Sequence, residues 1–265
     1  MAEIVRVAVI GAAGRMGREL CRAALETEGL ELAGGTVEPG TSELGHDLGE
    51  LAGAGRVGVS ATEDPPEGAD VLVEFTSPEA TVAHLSYGRP HVIGTTGLSE
   101  SDLARLREVS VRARIVQSGN LSQGVNLLAA LVRKVAASLG EEYDIEIAEM
   151  HHRAEVDAPS GTALLLGQAA AEGRGVGLSE RRVSTRDGHT GPRRPGDIGF
   201  ATLRGGSVIG DHTVIFAGPA ERLELSHRAE DRGLFARGAV RAALWAQAQP
   251  PGYYTMADVL GLGTL

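Results

Sequence analysis

Residues 4–17 read Ile4-Val5-Arg6-Val7-Ala8-Val9-Ile10-Gly11-Ala12-Ala13-Gly14-Arg15-Met16-Gly17. A short apolar, β-branched run of this kind is the pattern of a parallel strand buried on both faces. Glycines follow it at once, and a helix-forming stretch is expected at 18–28. Residues 30–37 form a second strand candidate that closes on Glu38. Each part of this strand–turn–helix–strand unit has a physical role in holding a dinucleotide. Gly11 permits the tight turn, Gly14 lets backbone approach a pyrophosphate, and Gly17 lets helix pack closely on strand. The helix N-terminus attracts the phosphates, and Glu38 can accept hydrogen bonds from ribose hydroxyls. The spacing is GxxGxxG rather than GxGxxG, so strand context and Glu38 carry the reading more than the glycines do. Pro39 and Gly40 follow Glu38, and no Arg or Lys stands nearby to neutralise a 2′-phosphate. The expected preference is therefore NADH over NADPH.

The pattern continues outward. Strands are expected at 69–75, 91–93 and 114–117. They end in Thr76-Ser77-Pro78, Gly94-Thr95-Thr96-Gly97 and Ser118-Gly119-Asn120-Leu121. Ser99 reads as a helix cap, with Asp102 three residues on. An open parallel sheet binds ligands at the C-terminal ends of its strands. The segments 11–17, 38, 76–78, 94–97 and 118–121 would then share one edge.

Near residue 122 the βα alternation gives way to strand-rich sequence. A helix is expected at 126–140, from the spacing of Leu127, Leu128, Leu131, Val135 and Leu139, and another at 160–172. Strands are expected at 144–149, 183–185, 197–204, 207–209, 212–217 and 222–226, making a mostly antiparallel or mixed sheet. A final helix is expected at 234–247. Between the 144–149 strand and the next helix stand His151, His152 and Arg153, then Asp157-Ala158-Pro159, then Ser160-Gly161-Thr162. Proton-transfer groups, a cation and a helix N-terminus able to hold an anion thus fall within about a dozen residues. Together with the nucleotide motif they point to a reductase acting on a small acidic molecule.

Composition sets bounds. The 265 residues carry a formal net charge of −10, which opposes nonspecific binding to nucleic acid or an anionic membrane. No apolar run is long enough to span a bilayer, and the N-terminus lacks a secretory pattern, so a cytoplasmic protein is expected. Cys21 is the only cysteine, and His46, His84, His91, His189, His212 and His227 have no metal-like spacing, so no metal site is expected. Of 25 basic residues, only Lys134 is a lysine.

The segments VAVIGAAGRMGREL (7–20), EFTSPEA (74–80), VIGTTG (92–97), SGNLSQGVNLL (118–128), HHRAEVDAPSGTAL (151–164), GHTGPRRPGDIGFATLRGG (188–206), DHTVIFAGPAERLELSHRA (211–229) and FARGAVRAALW (235–245) together resemble the dihydrodipicolinate reductase family. The likeness runs nearly end to end and in order. It implies a Rossmann-type domain at 1–122 and 232–265, and an α+β substrate and tetramerisation domain at 123–231. It implies NAD(P)H bound by Gly11, Ala12, Ala13, Gly14, Arg15, Met16, Glu38, Gly94, Thr95, Thr96, Ser118, Gly119, Asn120 and Leu121. His151 matches the general acid, and His152 with Gly161 and Thr162 matches the contacts to substrate carboxylates. Arg153 and Ser160 fall within the same substrate signature. The family reduces 4-hydroxy-tetrahydrodipicolinate, with loss of water, to tetrahydrodipicolinate on the route to diaminopimelate and lysine. Its members are usually homotetramers.

One position departs. The family signature places a catalytic lysine two residues after His-His-Arg, and Glu155 stands there. Two like charges ~4 Å apart at an effective dielectric of ~20 repel by about 4 kcal/mol, so the substitution matters at a dicarboxylate site. Three readings stay open. The usual reaction survives with His151 as acid and Glu155 turned away or protonated. A different imine or enamine with a positive group is reduced instead. Or the position carries an engineered or inactivating change, which includes a cofactor-binding regulator without turnover.

Overall fold

The computed structural model describes residues 4–264. Residues 1–3 and 265, which the expected domain bounds include, lie outside the described residues. The chain divides into two compact units, 1–123 with 232–261, and 124–231 with 262–265.

In unit 1 a seven-stranded sheet contains β1 (Val5–Ile10), β2 (Leu30–Thr36), β3 (Ala61–Thr62), β4 (Val71–Glu74), β5 (His91–Ile93), β6 (Arg114–Gln117) and, from the end of the chain, a strand at Gly252–Tyr254. Every pairing is parallel, in the spatial order β3-β2-β1-β4-β5-β6 and then the late strand. This is a Rossmann-type order. The helices are α1 (Arg15–Glu26), α2 (Leu48–Leu51), α3 (Pro78–His84) and α4 (Glu100–Ser110), with late helices at Gly233–Gln247 and Met256–Val259. Ser99 and Asp102 form the expected capping box on α4.

Helix α1 starts at Arg15, three residues earlier than the sequence suggested. Gly14 is its extended N-cap, and the Arg18 N–H already donates to the Gly14 carbonyl at 3.0 Å. Close approach requires glycine here. A Cβ on Gly17 would stand 2.1 Å from the Gly11 carbonyl oxygen and 2.7 Å from Ala12 Cα, backbone atoms that cannot swing aside. Gly11 itself has φ +74°, which glycine alone adopts without cost. The core packed around β1 is built of Val, Leu and Ala, and it includes Cys21, whose thiol burial pushes up to about 12.

Unit 2 holds a five-stranded mixed sheet. Its strands are β7 (Asp144–His151), β8 (Arg182–Val183), β9 (Ile198–Arg204), β10 (Asp211–Ala217) and β11 (Arg222–Arg228), in the order β11-β10-β7-β9-β8. β7 pairs antiparallel with β10 and parallel with β9. Among the described residues this unit has three α-helices: α5 (Gln123–Ser138, whose first residue falls in unit 1), α6 (Gly161–Arg174) and α7 (Leu178–Arg181).

Two expectations change here. The buried stripe of α5 is Val125, Leu128, Val132 and Ala136, a regular helical spacing, whereas Leu127 and Leu131 are exposed. Residues 207–209 are not a strand. β9 and β10 flank β7 on opposite sides, so the six residues 205–210 must cross the end of β7 and have no length left for pairing. The link is held there by Gly205 N–H on the His151 carbonyl, at 3.0 Å, and Arg153 N–H on the Gly206 carbonyl, at 3.3 Å. No helix of the described residues is long and apolar enough to cross a membrane.

Candidate active site

Strand periodicity assembles the chemistry of unit 2. Along β7, Ile145, Ile147, Glu149 and His151 are buried and their neighbours are less so. The apolar face of the strand therefore ends in a carboxylate and an imidazole. β10 repeats the pattern with Phe216, Val214 and His212, and the antiparallel register sets His212 opposite Glu149. Parallel pairing with β9 sets Arg204 opposite His151.

Glu149 is 2% exposed and is ringed by donors. His151 Nδ1 lies 2.6 Å from Oε2. Arg204 forks across both oxygens at 2.8 and 3.1 Å. The Ser160 N–H donates to Oε1 at 3.2 Å. Burial pushes the carboxyl up, but the Arg204, His151 and Ser160 hydrogen bonds outweigh that and hold it below its ordinary value. An ionised carboxylate only accepts, so Nδ1 of His151 carries hydrogen. Nε2 is then the nitrogen left for proton exchange, and it makes no hydrogen bond among the described residues. Gly210 gives that ring its space, since a Cβ there would stand 2.9 Å from Nε2.

The His212 ring meets His151 edge-on, with centroids 5.0 Å apart. Burial pushes its pKa down to about 4, with the His151 charge adding to the effect. His212 is therefore neutral near pH 7. Its Nε2 lies 3.2 Å from Ser160 Oγ, which also caps α6 by accepting from the Ala163 N–H. Gly161 then opens α6 with no atom within 4 Å of a would-be Cβ, so a ligand can reach its backbone. Thr162 follows in the same first turn. The Ala158–Pro159 peptide that precedes this turn is cis.

His152 and Glu155 form a separate pair, with 3.7 Å between Nε2 and Oε2, and the Glu155 N–H donates to the His152 carbonyl at 3.1 Å. The Arg153 side chain is exposed. Arg193 is structural. It binds Asp144 at 2.7 Å and Glu146 at 2.9 Å and ties its loop to the start of β7. Sequence reading named His151 and Ser160 but missed Glu149, Arg204, His212 and Gly210. The alternation of His212 with Val214 and Phe216 was the available signal for one of them.

In unit 1 the nucleotide candidates gather at the C-terminal ends of β1, β2, β5 and β6. No side chain caps α1, so the N–H groups of its first turn are left for an anion or water. A Cβ on Gly14 would stand 3.2 Å from the Gly11 carbonyl oxygen, tighter than ordinary contact, so glycine keeps the turn compact. Glu38 is exposed beyond β2. These features fit a dinucleotide. Two candidates have no free side chain to offer. Ala12 is buried and its N–H is spent on the Thr36 carbonyl at 2.8 Å, and the Leu121 side chain lies in the core. Ser118 Oγ donates within its own turn, to the Asn120 carbonyl at 2.6 Å. No cluster of three or more possible metal ligands occurs among the described residues.

Family models for the dihydrodipicolinate reductase N-terminus and C-terminus match residues 5–121 and 124–260. The chain belongs to the dihydrodipicolinate reductase family. It is 60% identical to the 4-hydroxy-tetrahydrodipicolinate reductase of Afipia carboxidovorans, over 98% of each chain. It is 60% identical to the enzyme of that name from Rubrobacter xylanophilus, over 97% of this chain and 98% of that one. Among solved structures it matches dipicolinate-bound dihydrodipicolinate reductase from Paenisporosarcina sp. TG-14, with a TM-score of 0.72 and 22% identity over 96% of this chain and 98% of that one. Family membership and fold thus agree with the nucleotide-binding character of unit 1.

The pH response of His212 can be measured. Its folded value of about 4 lies below its ordinary 6.5, so the unfolded chain binds the extra proton and stability falls as pH drops between those values. His212→Asn should lose about 2 kcal/mol less unfolding free energy than wild type between pH 7 and pH 5, by urea titration. Equal losses would show that this ring is not held neutral.

Proposed function

We infer that this chain is a 4-hydroxy-tetrahydrodipicolinate reductase, an NAD(P)H-dependent oxidoreductase of lysine and diaminopimelate biosynthesis. The observation that carries the chemistry is the Glu149–His151 contact of 2.6 Å at the edge of an open helix N-terminus. Reduced nicotinamide, when bound, supplies a hydride, and net reduction with loss of water also consumes one proton. Glu149 orients His151 through Nδ1, so that Nε2 is the nitrogen that delivers that proton. Gly161 and Thr162 at the start of α6 receive a substrate carboxylate, with His152, Arg153 and Ser160 around them. In unit 1, Gly11 and Ala12 shape the turn through their N–H bonds to Thr36, Ala13, Gly14, Arg15 and Met16 receive the pyrophosphate, and Glu38 receives the adenosine ribose. Gly94, Thr95 and Thr96, with Ser118, Gly119, Asn120 and Leu121, complete the dinucleotide edge.

Of the three readings of Glu155, its pairing with His152 supports retention of the family reaction. The carboxylate is turned to the His152 ring, 3.7 Å away, rather than standing alone before a dianion. A small dicarboxylate is the substrate class. We also propose a homotetramer joined through the unit 2 sheet. Its face away from the Ile147 core carries Ala148, Met150, Ala201, Ile215 and Leu203, and Leu203 is 57% exposed.

Three measurements test these statements. His151→Gln should lower kcat for NADH oxidation by about 10²- to 10⁴-fold and leave NADH affinity unchanged, and a variant that keeps full turnover removes His151 as the acid. kcat/KM should be higher with NADH than with NADPH, because Glu38 repels a 2′-phosphate, and a large NADPH advantage contradicts the role given to Glu38. Light scattering on the eluted protein should give four times the chain mass, whereas a monomer rules out the tetramer.

A further inference from the structure

Unit 2 contains a cavity of about 240 Å³ that the proposed chemistry does not use. It lies where the C-terminal ends of α5 and α6 meet the start of β7, with Ala137, Arg174 and Ile145 among its walls. Gly173 lets the two helices touch there, since a Cβ on it would stand 2.3 Å from the Arg133 carbonyl oxygen. His151 ends β7 at the other side of the unit, about 20 Å from Ile145 at the rise of an extended strand. Leu139 and Val176 give the cavity an apolar wall. Its volume falls below the roughly 300–1,000 Å³ of pockets for drug-sized ligands, so the space suits a small metabolite.

Charged side chains of both signs line the cavity: Arg174 and Arg181, Glu141 and Asp197. Arg174 is half-buried and under-used. Its Nη2 donates to the Tyr143 carbonyl at 2.9 Å, and its Nε is buried without a partner. Its Nη1 makes no hydrogen bond among the described residues and, unlike Nε, keeps exposed surface. Burial pushes the Arg174 pKa down, and Glu141 and Glu142 act against that. An arginine keeps its charge all the same, so a desolvated cation stands here short of acceptors. The side chains of Arg181, Glu141 and Asp197 make no hydrogen bond or close ion pair among the described residues. Helix α5 stops at Ser138, and no N–H among the described residues bonds to the Ala136 or Ala137 carbonyl. Carbonyls of a last helical turn point off the end of the helix and favour a cation.

We propose that this cavity binds a small α-amino acid with an apolar side chain, at a site separate from the Glu149–His151 cluster. The ligand carboxylate meets Arg174 Nη1 and Arg181. Its ammonium meets Glu141, Asp197 and the carbonyls at the end of α5. Its side chain packs on Leu139 and Val176. Both charges are needed on one molecule. A bare anion would bring its charge among two carboxylates, and a bare cation would bring its charge among two guanidiniums. The site stands whether or not the chain is a reductase, because none of these residues belongs to the proposed catalytic or dinucleotide groups.

Calorimetric titration of the full chain with L-valine tests this. Saturable binding is expected, with a Kd of about 1 mM. Isovalerate lacks the ammonium and isobutylamine lacks the carboxylate, and each should bind at least about tenfold more weakly. Arg181→Gln should weaken L-valine about tenfold and leave kcat for NADH oxidation within about twofold of wild type. Arg174→Gln should behave alike, and if it fails to fold by circular dichroism, Arg181→Gln decides alone. No saturation up to about 50 mM L-valine overturns the proposal. So does isovalerate or isobutylamine binding as tightly as L-valine, or wild-type affinity in Arg181→Gln. L-valine held at the start of α6 instead would keep its affinity in Arg181→Gln, and so gives that last contrary result.

Discussion

The buried Glu149 carboxylate is the constraint on which unit 2 depends. It accepts from its own strand through His151, from β9 through Arg204, and from the residue that caps α6 through the Ser160 N–H. Arg204 also donates to the Asp157 carbonyl, so the turn before α6 is bound to the same cluster. A carboxylate taken out of water is stable only when such donors replace its hydration. The arrangement that keeps Glu149 ionised is therefore the same one that fixes the tautomer of His151 and the start of α6. Fold stability and acid–base geometry share their hydrogen bonds, and neither can be altered alone.

Unit 1 solves the same problem twice, at different scales. At the glycine turn no side chain intrudes, so backbone N–H groups at the head of α1 stay available to an anion. Behind the next strands an ionised carboxylate, Glu74, is held by two histidines and a threonine. In each unit a single buried glutamate organises polar groups near the C-terminal end of a strand whose preceding buried residues are apolar. The apolar part supplies rigidity through close packing. The polar end inherits that rigidity, which oriented hydrogen-bond donors require.

Much of this was legible from local pattern. His91–Ile93 and Arg114–Gln117 stand where runs of apolar residues placed them, and Ser99 with Asp102 closes the capping box that its spacing announced. These features are decided within a few residues of chain. What escaped depends on register between distant segments. Nothing near His212 says that it lies opposite Glu149, because that follows from antiparallel pairing across some sixty residues. Val208 and Ile209 look like strand until the topology requires 205–210 to bridge over β7. Leu127 and Leu131 fit a helical stripe as well as Val125 and Leu128 do, and only the packing of α5 on its sheet chooses between them. Glu74 was hidden because a lone acid at the end of an apolar run reads as the exposed end of a strand.

On the proposed function, a chain with one lysine must receive a dianion through other groups. Arg204 is committed to Glu149, and their charges cancel at short range. Glu155 faces His152, with 3.7 Å between Oε2 and Nε2. The fixed positive potential left is that of the N-terminus of α6, equivalent to about half an elementary charge, together with the exposed Arg153 that the proposed function places at the substrate. His212 adds none, because burial keeps it neutral near pH 7. On the proposed function, a substrate carboxylate meets the backbone N–H groups at the start of α6 beside an imidazole that Glu149 holds in one tautomer, so the groups that bind and the group that exchanges a proton are fixed by one set of hydrogen bonds. Glu149 connects the two because it accepts from His151 and from Ser160, the residue that caps the helix.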